Sequence, residues 1–279
     1  MIPAPFDYDV AQSVDHAVEL LGSRDDAKLL AGGHSLIPLL RLRFARPALL
    51  VDIGRVEELC YVRDAGEELA IGAMTRHHDV QHDPSLQEHC PIVSHAAGLI
   101  GDPQVRHRGT IGGSVAHGDP ASDLPTVLTA LDAELVVRGP DGERTVPAAE
   151  FFRGVFETAL GQQDVLTEIR VPKLGPAGWS YVKFMRRAQD WATVGVAAVV
   201  RRSNGRIDEA AIALTNMGPT PVRARAAEQA LRTPDDVASA AKVVADESDP
   251  PSDTSGSADY RRHLATVLAR RALEEAISR

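Results

Sequence analysis

Residues 172 to 178 read Pro-Lys-Leu-Gly-Pro-Ala-Gly, two prolines and two glycines in seven positions. Proline removes a backbone donor and clashes with a helical turn, and glycine raises the entropic cost of order, so no helix or strand can run through this stretch. The chain is cut there into two parts of different character. Its 279 residues suit two domains of about 100 to 200 residues each. Before the break, helical and strand patterns alternate. Ser13 ahead of Val14, Ala17, Val18 and Leu21 predicts a capped helix closed by Gly22. Leu29 to Ala31, a Gly-Gly turn, Leu36 to Phe44 and Leu49 to Ile53 predict strand, loop, short helix and strand. Further on, Leu69 to Ala73 predicts a strand, Thr75 the cap of a short helix, and Pro91 to Ile100 a helix ended by Gly101. A second glycine loop follows at 109 to 114, then a helix over 123–131, and strands over 135–138, after Pro140-Asp141-Gly142, and over 165–171.

After the break, Val194 to Arg202 and Ile207 to Thr215 flank Ser203-Asn204-Gly205. Asn-Gly tolerates positive φ at both positions, which predicts an antiparallel hairpin. Helices are predicted near 224–231 and 234–245, and a last amphipathic one through Leu264, Val267, Leu268 and Leu273. The Pro, Ser and Asp content of 248–259 predicts a mobile loop.

Composition removes several function classes. With 30 Lys plus Arg against 39 Asp plus Glu the formal net charge is −9, unsuited to a nucleic-acid partner, because phosphate backbones demand clustered positive charge. The longest apolar run, Val194 to Val200, is far short of the about 20 residues a membrane span needs. The first nine residues lack a basic region followed by an apolar one, so the expected location is the cytoplasm, at most peripheral to the inner face of the membrane. Cys60 and Cys90 stand alone, with no Cys-x-x-Cys, which excludes a disulfide framework and an intrinsic iron–sulfur cluster.

The usual phosphate and nucleophile signatures fail. No Gly-Lys pair makes a P-loop, no G-x-G-x-x-G opens a helix, and G-x-S-x-G and H-E-x-x-H are absent. What remains is a pair of Gly-Gly loops with a serine close behind, Gly32-Gly33-His34-Ser35 and Gly112-Gly113-Ser114. Paired glycines let successive backbone N–H groups converge on an anion, so a pyrophosphate can be held without lysine. His77, His78, His82, His89 and His95 raise a metal reading, since His78 and His82 could share a helix face. No third ligand stands at a recognised spacing, and they read as solvated or capping residues.

Ala31-Gly32-Gly33-His34-Ser35-Leu36-Ile37-Pro38-Leu39-Leu40, Val51-Asp52-Ile53, Ile71-Gly72-Ala73-Met74-Thr75 and Gly109-Thr110-Ile111-Gly112-Gly113-Ser114 together resemble the FAD-binding medium subunits of molybdenum hydroxylases. The carbon monoxide dehydrogenase flavoprotein type is the nearer likeness and xanthine dehydrogenase the more distant. Leu214-Thr215-Asn216 and the segment from Asp259-Tyr260-Arg261-Arg262 to Leu273 extend the resemblance to the end of the chain. It implies an α+β fold: an FAD domain over 1–174, built of two α/β subdomains of vanillyl-alcohol-oxidase type (about 1–56 and 57–174), then a C-terminal domain over 178–279 with an antiparallel sheet flanked by helices.

The resemblance also implies roles. Ala31, Gly32, Gly33, His34 and Ser35 would meet the pyrophosphate through main-chain amides, and Thr110, Gly112, Gly113 and Ser114 would line the dinucleotide from the other side. Asp123 matches an acid that accepts hydrogen bonds from FAD, with an N-cap as the plainer role. Leu166 matches an aliphatic residue beside the isoalloxazine, though a strand leucine is ordinarily core. Lys183 matches a lysine near the flavin or is a solvated strand residue, and Lys28 is a weaker match. Trp191 stands where the carbon monoxide dehydrogenase type has an aromatic residue, usually tyrosine. His34 fits that type, whereas Ile100 replaces the aromatic that xanthine dehydrogenases set against the flavin. The implied partners are a small subunit with two 2Fe-2S clusters and a large subunit with the molybdenum cofactor, arranged as a dimer of heterotrimers. A standalone FAD oxidase or reductase, and a non-catalytic subunit that merely retains FAD, stay open beside this reading.

Overall fold

The computed structural model describes residues 1–279. Its first layer is β1 (Asp7–Val10), α1 (Val14–Gly22), β2 (Ala27–Leu30), α2 (Leu36–Leu42) and β3 (Leu49–Asp52). The three strands are parallel in the order β1-β3-β2, with Leu50 between Tyr8 and Lys28. Parallel neighbours need crossovers, and α1 and α2 supply them. Ser13 caps α1 by accepting from His16 N, but the helix runs through Gly22 and closes on Ser23, whose hydroxyl donates to Leu20 O.

The second layer opens with β4 (Val62–Asp64) and β5 (Glu68–Gly72) and then crosses a run of helices: α3 (His77–His82), α4 (Pro84–His89), α5 (Pro91–Gly98), α6 (Pro103–Arg106), α7 (Ile111–His117) and α8 (Asp123–Ala130). It returns through β6 (Glu134–Gly139), β7 (Gly142–Pro147), α9 (Ala148–Phe151), the small hairpin β8 (Phe152–Gly154) and β9 (Glu157–Thr158), and β10 (Val165–Pro172). Strand order is β4-β5-β10-β6-β7, so the last strand sits at the centre, antiparallel to both neighbours. Thr75 does not cap α3. Its hydroxyl donates to Tyr61 O and accepts from Tyr61 N, tying the chain after β5 to the start of β4, and Arg76 takes the cap position.

Beyond the Pro/Gly break, β11 (Gly178–Phe184), β12 (Val194–Ser203), β13 (Arg206–Thr215) and β14 (Val222–Arg223) form an antiparallel sheet in sequence order, followed by α10 (Arg225–Ala230), α11 (Val237–Asp246) and the 21-residue α12 (Ala258–Ser278). Asn204 and Gly205 have φ of 51° and 75°, the hairpin turn expected of Asn-Gly. The unbroken apolar run of β12 has a simple cause, since both faces of this sheet are covered. Ala197, Val199, Ala211 and Ala213 join the large core under α5 and α8, while Val194, Val196, Ala198, Val200, Ile212 and Leu214 pack on α11 and α12. The main core therefore crosses the break. Residues 248–259 contain no helix or strand up to Ala258, yet they are tied down: fully buried Arg261 donates to Asp253 Oδ1 (2.7 Å) and to Thr193 O.

Candidate functional site

The first Gly-Gly loop joins β2 to α2. Gly33 has φ of 79°, a left-handed conformation glycine adopts without penalty. The backbone N–H groups of Gly32, Gly33, His34 and Ser35 donate to no acceptor in the chain, and Ser35, at the cap position of α2, makes no side-chain cap bond. Four consecutive unpaired amides in a partly exposed loop are positive dipoles fixed by the backbone and free to receive an anion.

The second Gly-Gly segment differs from its expected form, being the first turn of α7 rather than a loop. Thr110 caps it by accepting from Gly113 N at 3.0 Å. The N–H groups of Ile111 and Gly112 donate to Thr75 O and Ala73 O, and that of Ser114 to Thr110 O. These amides are already committed, so here the glycines serve close packing. A Cβ on Gly112 would lie 2.5 Å from Ala73 Cβ. One on Gly113 would meet Thr110 Oγ1 at 2.8 Å and Ala31 Cβ at 3.7 Å, so Gly113 faces the first loop. One on Gly32 would run into the Arg108 carbonyl and come within 2.8 Å of Gly109 Cα. Two segments 80 residues apart thus meet backbone against backbone.

Asp123, the first residue of α8, is a junction rather than a cap. Its Oδ2 accepts from Lys183 Nζ (2.8 Å) and its Oδ1 from the Tyr181 hydroxyl (2.7 Å). Tyr181 Oη lies 3.0 Å from Thr215 Oγ1, which donates to Thr126 Oγ1 at 2.8 Å, and Lys183 also donates to Leu99 O. The side chains of Lys183 and Asp123 are only 2 % and 3 % exposed, which overturns the solvated reading of Lys183. Burial raises the Asp123 carboxyl above its ordinary range, opposed by the Lys183 charge, and burial likewise pushes the Tyr181 hydroxyl well up. Gly195 makes the junction possible, because a Cβ there would lie 2.6 Å from Tyr181 Oη. Tyr181 and Lys183 are two apart on β11, hence on one face. That spacing was the available sequence signal for Tyr181; Thr215 lay in the Leu214-Thr215-Asn216 segment of the resemblance without a role attached, and Thr126 carried no signal.

Leu166 lies in the main core at 4 % exposure, opposite Val137 on β6. Lys28 is exposed on β2, close enough to His117 at the end of α7 that its charge, after burial, lowers that imidazole's pKa. Trp191 is 52 % exposed, so it is no core residue. It belongs to the β11–β12 connection, where Gln189 donates to Asp102 at the start of α6 and Asn216 donates to Ala192 O. Ser122, just ahead of Asp123, is 1 % exposed and its hydroxyl has no partner. His78 stacks on His107 (centroids 4.0 Å apart) and lies 4.4 Å from His82, and no group of three or more His, Cys, Asp or Glu is arranged to hold a metal ion. His77 is neither solvated nor capping: it is buried under Gly109, whose Cβ would lie 2.8 Å from its ring.

Residues 4–174 match the family described as the FAD binding domain in molybdopterin dehydrogenase, and residues 179–276 the CO dehydrogenase flavoprotein C-terminal domain. The chain belongs to the FAD-binding medium subunits of molybdenum hydroxylases. It is 45 % identical to the carbon monoxide dehydrogenase medium chain of Hydrogenophaga pseudoflava over 100 % of this chain and 99 % of that one. It is 40 % identical to the 6-hydroxypseudooxynicotine dehydrogenase complex subunit alpha of Paenarthrobacter nicotinovorans, over 100 % and 97 %. A solved carbon monoxide dehydrogenase from Hydrogenophaga pseudoflava lacking the Mo-pyranopterin moiety superposes with a TM-score of 0.97 at 47 % identity, covering 100 % of this chain and 99 % of that chain.

The medium-subunit cofactor suits the residues present. The amides of Gly32 to Ser35 are unpaired within the chain and can receive an anion, and Gly113 lies beside Ala31 without a side chain. Ser122 offers a buried hydroxyl lacking a partner.

Removing one member of a buried ion pair strands the other charge and costs about 3–5 kcal/mol. Lys183→Met should therefore lower the unfolding free energy by about that much, measured by urea denaturation, and an effect below about 1 kcal/mol would show that the junction does not hold the halves together. A second prediction concerns acid. Burial, then the charges of Arg106 and Arg76, push His77 down from 6.5 to about 3. Between those values the unfolded chain binds a proton there that the folded chain refuses, so stability is full above pH 6.5 and declines as pH falls towards 3. His77→Leu should remove on the order of 4 kcal/mol of that decline. Parallel pH profiles of the two chains would count against this assignment.

Proposed function

We propose that this chain holds one non-covalent FAD and works as the electron outlet of a molybdenum hydroxylase. A small subunit with two 2Fe-2S clusters would deliver electrons that a large subunit draws from substrate at its molybdenum cofactor, and the chain would pass them to an external acceptor. The assembly proposed is a dimer of heterotrimers, in the cytoplasm or peripheral to the inner membrane face; no helix of this chain is long and apolar enough to cross a membrane. Flavin supplies chemistry that accepts electrons singly and releases them singly or in pairs.

The chain's residues bind and orient. The observation that carries the proposal is the run of free amides from Gly32 to Ser35, with the glycine at 113 beside Ala31 at the start of that loop. Ala31 to Ser35 are assigned to the pyrophosphate, with Thr110, Gly112, Gly113 and Ser114 as the facing wall. Thr110 orients the α7 turn, and Gly112 lets it sit on Ala73. Asp123, with lone pairs to spare beyond its bonds to Tyr181 and Lys183, is assigned to the flavin end with Lys183, Leu166 and Trp191, and Lys28 to the edge of the site. The proposed domains are 1–174, with subdomains of about 1–56 and 57–174, and 178–279.

The purified chain should be yellow and release intact FAD on acid treatment. Gly33→Val cannot adopt φ of 79° without strain, and each charge-assisted amide bond lost is worth about 1.5–3 kcal/mol, so FAD affinity should fall at least tenfold per bond. Unchanged flavin content would reduce the loop to a turn, and iron in the isolated chain would contradict the division of cofactors. Turnover by the isolated chain would favour a standalone oxidase instead.

Trp191 provides a further check. Trp179, the other tryptophan, has the Arg279 guanidinium 3.7 Å from its ring centroid. FAD binding should quench wild-type tryptophan emission strongly and Trp191→Phe much less, whereas equal quenching would place Trp191 away from the flavin.

A further inference from the structure

Three strands of the C-terminal sheet meet at a position that has no side chain. Gly195 on β12 stands opposite Lys183 of β11 and Thr215 of β13 in the strand register. A Cβ there would come within 2.6 Å of Tyr181 Oη and 2.8 Å of Thr215 Oγ1. Glycine inside a strand weakens it and marks the close approach of other groups. What approaches here is a pair of hydroxyls. Tyr181 and Thr215 come within 3.0 Å of each other across the central strand, and Thr126 of α8 lies 2.8 Å beyond Thr215. At the near end of this row Tyr181 donates its hydrogen to Asp123 at 2.7 Å, because an ionised carboxylate is a stronger acceptor than a hydroxyl. Asp123, Thr126, Tyr181 and Thr215 are all buried. Lys183 alone would balance the Asp123 charge; the phenol adds direction.

We infer that Tyr181 is a positioning residue of the flavin end, acting through Asp123: its hydrogen bond keeps the carboxylate charged and fixes which lone pairs stay open to the dinucleotide. The inference rests on the flavin reading above. A carboxylate offers about four acceptor positions. Tyr181 takes one on Oδ1 and Lys183 one on Oδ2, so the group is held at both oxygens. The charged or titratable groups bearing on Asp123 are Lys183 and Tyr181, both on β11. α8 adds Thr126, β13 adds Thr215 and the turn after α5 adds Leu99 O on Lys183, none of them charged. Burial raises the Asp123 carboxyl and both β11 groups lower it, so losing the phenol's hydrogen bond lets the carboxyl take a proton at higher pH. Tyr181, itself pushed well up by burial, keeps its hydrogen throughout. Once protonated, Asp123 no longer accepts as a charged group, and FAD binding weakens.

The test measures the FAD dissociation constant of the full chain from neutral to acid pH, wherever circular dichroism shows the fold intact. Wild-type affinity should fall as the pH drops through the Asp123 pKa. A hydrogen bond to a charged group is worth about tenfold in acidity, so Tyr181→Phe should lose FAD about one pH unit higher. Gly195→Ala keeps every polar group but displaces the phenol, and should shift the profile the same way. A fluorotyrosine in place of Tyr181 keeps the shape while strengthening the donor, and should move the loss to lower pH. In the FAD-free chain, the infrared band of a protonated carboxyl, absent from Asp123→Asn, should appear at higher pH in Tyr181→Phe than in the wild type. His77 is untouched in every variant and contributes equally. Coincident pH profiles would overturn the inference and leave the flavin reading standing. A uniform loss of affinity without a shifted profile would do the same, being the mark of a purely structural role. A wild-type chain that takes up no FAD would defeat the flavin reading, and the inference with it.

Discussion

The architecture of the site depends on one contact between backbones, Gly32 against Arg108 and Gly109. Each side belongs to a different layer, the β2–α2 loop to the parallel sheet and the Arg108 turn to the helical run over the five-stranded sheet. Any side chain at position 32 would enter the Arg108 carbonyl, which also accepts from the Arg76 guanidinium. With the two segments held this closely, the bare glycine at 113 comes beside Ala31, next to the unpaired amides. The same approach explains why the second segment could surrender its own amides to Ala73 and Thr75: anchoring it firmly is what sets the wall in place.

The C-terminal domain is coupled to this arrangement through charge. Asp123 accepts from Lys183 and Tyr181 across the boundary, and Tyr181 reaches Thr215 on a further strand. A buried ion pair gains little net stability, but it is intolerant of displacement, because a small separation leaves two desolvated charges unpaired. The junction therefore fixes β11 relative to α8 more strictly than apolar packing would.

Much of this was legible before the structure. The Asn-Gly hairpin, the Ser13 cap and the strands expected over 29–31, 49–53 and 165–171, found over 27–30, 49–52 and 165–172, follow from short-range rules that tertiary contacts shifted by two residues at most. The Gly112-Gly113 turn was misread, because glycine pairs signal loops and the reason for these glycines, contact with Ala73 and room beside Ala31, is long-range. Thr75 and His77 were misassigned for the same reason: their partners, Tyr61 and Gly109, lie 14 and 32 positions away. The 248–259 segment has a disordered composition, yet one buried arginine restrains it.

An acidic chain assigned to hold a dinucleotide raises an electrostatic question that distance resolves. At physiological ionic strength the Debye length is about 8 Å, so carboxylates scattered over the surface contribute little at the Gly-Gly loop. The field there is set by what lies within a few ångströms, the amides of Gly32 to Ser35, whose dipoles are fixed by the backbone, and the Arg76 guanidinium on the Arg108 carbonyl beside Gly32. A lysine in their place would add a full charge but would have to be ordered on binding, losing rotamer entropy the backbone has already given up. Net charge is then free to serve solubility and the choice of partners. The amides of the first loop owe nothing to it.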